Sequence, residues 1–66
     1  MKNQQAKVLI LKAPDAQDLE VELIRSGWDS RHMARFASLY YLGYINTTEL
    51  RKYCSEFEIK FIQDNR

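Results

Sequence analysis

One cysteine, one histidine, one proline and two glycines in 66 residues leave little material for several kinds of chemistry. A lone cysteine cannot close an internal disulfide. One histidine and one cysteine fall short of a four-ligand zinc set, so neither a metal nor a cofactor is expected. Two glycines cannot build a phosphate-cradling loop, and no carboxylate pair has a distinctive setting, so the chain reads as a non-enzyme. No apolar run approaches the roughly 20 residues of a membrane span, and Val8-Leu9-Ile10-Leu11 is too short for the core of a secretory signal. A cytoplasmic protein away from membranes is expected. The formal net charge is only +1, which argues against bulk electrostatic attraction to nucleic acid or anionic lipid.

What is present is globular, at 45% hydrophobic and 29% charged residues. Residues 1–66 read as one domain, without a linker or internal repeat. A chain this small buries only about 60% of its unfolded surface, a shortfall that dimerisation would relieve.

The stretch from Trp28 to Phe57 carries the clearest punctuation. Asp29 is a suitable N-cap, with Trp28 and Met33 at hydrophobic-staple spacing. Gly43 stands where a left-handed residue closes a helix, with Tyr44 placed to fold back on Leu39. Asn46 and Glu49 then form a capping-box pair, with Ile45 and Leu50 at staple positions. These signals predict helices over about 30–42 and 47–56. Met33, Phe36, Ala37, Tyr40 and Tyr41 share one stripe of the first, and Cys54 shares a stripe of the second with Leu50, Tyr53 and Phe57, as expected of a buried structural thiol.

Alternation points elsewhere to strands. Residues 7–12 are an apolar run bounded by lysines; 19–24 alternate through Leu19, Val21 and Leu23; 57–62 alternate through Phe57, Ile59 and Phe61. The predicted class is α+β, a small antiparallel sheet packed on the helical pair. The alternative is a helix over 15–26, capped by Asp15 and ended by Gly27, in which Val21 leaves the face shared by Leu19 and Leu23.

Gly43 to Leu50 resembles the second half of an EF-hand calcium loop, a resemblance that assigns the turn to Gly43 and bidentate ligation to Glu49. The earlier ligand positions would be Ser38, Tyr40 and Leu42, two of which offer no useful hard oxygen. The same glycine corner is similar to that of a DNA-binding helix-turn-helix, with Arg51 and Lys52 on the second helix, but Glu49 falls where that motif has an apolar anchor.

Charge separates along the chain. Asp15, Asp18, Glu20 and Glu22 make an acidic stretch, whereas Arg25, Arg31, Arg35, Arg51 and Lys52 make the charge between residues 25 and 52 mostly basic. Arg31 and His32 sit in a first helical turn, where the helix dipole disfavours cations unless an anion is near. Asp29 and the glutamates around residue 20 can neutralise them within the fold; otherwise Arg31 and Arg35 can hold a phosphate or a partner carboxylate. The reading is a small protein-binding module or inhibitor that docks on a larger protein and self-associates as a dimer. Its candidate contacts are Arg31, Arg35, Trp28, Tyr44, Arg51 and Lys52, with Trp28, Tyr41 and Tyr44 as exposed aromatic anchors. The alternative is a nucleic-acid-binding regulator that contacts phosphates through the local basic residues.

Overall fold

The segment that alternation assigns to a second strand is a helix, and its two ends show why. Asp15 accepts the backbone N–H groups of Gln17 (3.1 Å) and Asp18 (3.4 Å) at one end. At the other end Gly27 takes a φ of +112°, donating to the Ile24 carbonyl at 3.1 Å while Trp28 donates to that of Leu23 at 3.2 Å. Those two bonds satisfy carbonyls a helix otherwise leaves open, the Schellman arrangement.

The computed structural model describes residues 6–66. Among them are five helices and no strand: α1 (Ala6–Lys12), α2 (Ala16–Arg25), α3 (Arg31–Tyr41), α4 (Thr47–Tyr53) and α5 (Glu56–Asp64). The α+β expectation is therefore overturned in all three strand segments, and the helical alternative for 15–26 describes α2. In α2 the buried residues are Leu19 and Leu23, one turn apart, while Val21 is 43% exposed. In α1, Ala6 is buried, Leu9 and Ile10 pack against the core and Leu11 faces solvent, a helical rather than a two-residue period.

The third predicted strand fails because Ser55 and Glu58 form a capping box. Ser55 Oγ accepts the Glu58 N–H at 3.2 Å, and Glu58 Oε1 accepts the Ser55 N–H at 2.8 Å. In α5, Ile59 and Ile62 are buried and Phe57 is exposed. The same box ends the preceding helix earlier than predicted, since Cys54 is extended (φ −125°, ψ 148°) and α4 stops at Tyr53.

The central helix matches its expected bounds, with one change at its start. Ser30, not Asp29, is the N-cap, accepting the Met33 N–H at 3.2 Å. That register removes the Trp28–Met33 staple. At the other end Gly43 (φ +84°) donates to the Tyr40 carbonyl at 3.1 Å and Tyr44 to that of Leu39 at 2.9 Å, as the spacing predicts. Asn46 and Glu49 make the predicted capping box. Nothing lies within 4 Å of a Cβ built on Gly43, so Gly43→Ala meets only backbone strain. A loss of about 1–2 kcal/mol is expected, read from urea unfolding followed by circular dichroism.

Helices α2 and α3 form the most extensive contact, with α1 against α2 and with α4 and α5 packed on α3. Trp28, Leu19, Leu23, Leu50 and Ile62 supply the largest fully buried side chains. The Trp28 indole stands edge-on to Phe61 (centroids 4.8 Å apart) and Tyr41 (6.3 Å). The Tyr41 hydroxyl donates to the Ile62 carbonyl, and burial pushes its phenol well above the usual tyrosine range. The Ala6 N–H donates to the Asn65 carbonyl at 2.9 Å, tying the start of α1 to the end of α5. No helix among the described residues is long and apolar enough to cross a membrane.

Candidate functional site

Arg31 and Arg35 lie one turn apart on α3 and therefore share a face. They border a cleft of about 640 Å³ between α2 and α3. Val21, Ile24 and Leu39 supply apolar lining, and Glu20 is its acidic member. The wall stays open because the residues that join these helices, Leu19 and Leu23 on α2 and Ala34 and Ala37 on α3, are buried, leaving longer side chains at the rim.

The neutralisation expected for the two arginines is not made. The ion pairs among the described residues are Lys12–Glu22 (3.7 Å), Arg25–Glu22 (3.7 Å), Arg51–Glu56 (2.9 Å) and Lys60–Asp64 (3.3 Å). None includes Arg31, Arg35 or Asp29. Because Arg31 occupies the first helical position after Ser30, its charge also sits where the dipole of α3 repels it. An anion at this rim meets two guanidinium groups.

The other candidate residues are placed differently. Trp28 and Tyr41 are buried, at 2% and 4% exposure, so neither is an exposed anchor. Trp28 enters the core because it follows Gly27 at the end of α2, a position the strand reading obscures. Tyr44 is exposed beyond the corner at Gly43. Arg51 is tied to Glu56, and Lys52 is exposed on α4. Neither lines the α2–α3 cleft. The basic residues are thus divided between two places.

Two residues 22 positions apart in the chain meet in space. His32 Nε2 lies 3.8 Å from Cys54 Sγ and 2.8 Å from the Tyr53 carbonyl oxygen. A carbonyl only accepts, so the proton sits on Nε2 and that nitrogen has no lone pair to take the thiol's proton. Burial pushes the Cys54 thiol upward, and the nearby Glu58 carboxylate adds to the shift. Both effects oppose an activated nucleophile, which requires a lowered thiol pKa. A surface row of rings adjoins this spot, with Phe36 tilted on His32 at 4.8 Å and stacked on Tyr53 at 4.9 Å.

The loop from Gly43 to Glu49 serves helix capping. Glu49 Oε1 accepts the Asn46 N–H at 3.3 Å, while Tyr40 and Leu42 belong to the end of α3 and its cap. The partial EF-hand resemblance thus reflects a shared local need, a glycine turn followed by a capped helix. Comparison with known protein families, curated proteins and solved structures finds no match for this chain.

Proposed function

We propose that this protein is a non-enzymatic docking module, a small regulator or inhibitor that binds an acidic segment of a larger protein in the α2–α3 cleft. The observation that carries this reading is two arginines on one helix face, free of ion pairs among the described residues and set beside an apolar lining. Arg31 and Arg35 hold partner carboxylates through charge-assisted hydrogen bonds, while Val21, Ile24 and Leu39 cover the segment's apolar side chains. Glu20 disfavours a uniformly acidic ligand and selects one with a neutral or basic residue opposite it. A cytoplasmic site of action belongs to the same proposal.

The test is affinity capture from host extract on the immobilised protein, then titration of the captured partner against wild type, Arg31→Glu/Arg35→Glu and Lys52→Glu. Each charge-assisted contact contributes about 1.5–3 kcal/mol, so the double variant is expected to lose roughly 100-fold or more in affinity. Lys52→Glu should bind as wild type does. Equal binding by all three sinks the cleft as the docking site. Capture of nucleic acid, with affinity falling steeply as salt rises, would favour the phosphate-binding alternative. Sedimentation at several concentrations reads the dimer directly, and a dimer broken by the double variant would make a second copy the occupant.

A further inference from the structure

We infer that His32, Cys54 and Glu58 form a binding site for a zinc ion, independent of the α2–α3 cleft. The three residues come from the start of α3, the α4–α5 junction and the first turn of α5, so only the tertiary fold brings His32 to the other two. One ligand atom from each lies within 4.8 Å of the others, and Cys54 Sγ is 3.8 Å from His32 Nε2. In a tetrahedral zinc site, with bonds of about 2.3 Å to sulfur and about 2.0–2.1 Å to nitrogen, those two atoms stand roughly 3.6 Å apart. A side-chain adjustment of about 1 Å closes the rest of the triangle.

The donor set suits zinc better than a hard cation. Thiolate and imidazole are borderline-to-soft ligands, and calcium or magnesium would want oxygens alone. The carboxylate is already oriented, because the capping box holds Glu58 Oε1 on the Ser55 N–H at 2.8 Å and leaves the second oxygen for an ion. Zinc displaces the thiol proton to solvent, while the imidazole stays neutral by changing tautomer, Nε2 giving up its proton and Nδ1 taking one from water. The Tyr53 carbonyl then exchanges its histidine donor for water, which is accessible because Tyr53 is an exposed residue. Three protein ligands leave a fourth position for water or for a group from a bound partner. The ion would also clamp α3 to the α4–α5 corner, where chain connectivity supplies no cross-link.

The full-length protein, freshly reduced, is titrated with Zn²⁺ against a chromophoric chelator, and with Co²⁺ as a spectroscopic probe. One equivalent should bind with a dissociation constant of about 1 µM or tighter. Cobalt should show a sulfur-to-metal charge-transfer band together with tetrahedral visible absorption. Zinc at 100 times its dissociation constant should raise Tm by on the order of 10 °C. Cys54→Ser should abolish the charge-transfer band, and His32→Ala should weaken binding at least about 100-fold, beyond what loss of an outer-shell partner costs. Glu58→Gln retains the capping box, since glutamine also accepts at that position, so its loss of affinity isolates ligation from helix capping. Circular dichroism confirms that each variant is folded. No stoichiometric binding by the wild type, or unchanged affinity and cobalt spectrum in folded Cys54→Ser and His32→Ala, overturns the site.

Discussion

Trp28→Ala is expected to lower the unfolding free energy by about 3–5 kcal/mol, the range for truncating a buried large aromatic. A 66-residue domain carries roughly 3–10 kcal/mol in total, so a large part of the variant population should unfold. The indole is 2% exposed and meets Tyr41 from α3 and Phe61 from α5, while its own backbone closes α2 on the Leu23 carbonyl. One residue thus joins three helices. Trp28→Phe should lose less than half as much. The smaller ring leaves a partial cavity, but it also removes the buried Nε1–H, which has no acceptor among the described residues and costs about 1–3 kcal/mol. Urea titration by far-ultraviolet circular dichroism reads all three proteins without relying on tryptophan emission. A Trp28→Ala variant within about 1 kcal/mol of wild type would remove this residue from the centre of the core.

Leu23→Ala and Val21→Ala should separate sharply. Leu23 is fully buried, and its truncation is expected to cost about 2–5 kcal/mol. Val21 is 43% exposed on α2, and alanine is the better helix former, so Val21→Ala should stay within about 0.5 kcal/mol of wild type or gain slightly. A strand would place Leu19, Val21 and Leu23 on one buried face and make both truncations costly. Comparable losses at the two positions would therefore reinstate the sheet. The same urea titration measures both.

Local capping was legible where a cap pair could be read without competition. Asn46 with Glu49, Gly43 with Tyr44, and the bounds of α3 within a residue all rest on hydrogen bonds to backbone a few positions away, from side chains at the N-caps and from backbone N–H groups at the glycine turn. Where apolar residues happened to alternate, that pattern obscured equally local signals. Asp15 and Gly27 mark both ends of α2, and Ser55 with Glu58 opens α5, yet Leu19-Val21-Leu23 and Phe57-Ile59-Phe61 read as strand faces. Cap bonds act on backbone groups that must find partners, whereas an outward Val21 or Phe57 costs little at the surface. Two-residue alternation over five residues is a weaker constraint than two closed caps.

The candidate contacts divide in the same manner. That Arg31 and Arg35 share a face is a consequence of helical spacing, but that Glu22 pairs elsewhere required the positions of Lys12 and Arg25, which hold it. The burial of Trp28 depended on the left-handed turn at Gly27 that swings the indole inward.

The amino-acid order by itself determined which residues cap, which turn and which are charged, because those interactions span at most about five positions. Only the tertiary structure decided that, among the described residues, no sheet forms, two arginines stay without an internal carboxylate, and His32 meets Cys54 and Glu58. These outcomes depend on how five short helices cross to cover one another's apolar stripes, and crossing geometry is set by side chains far apart in the chain.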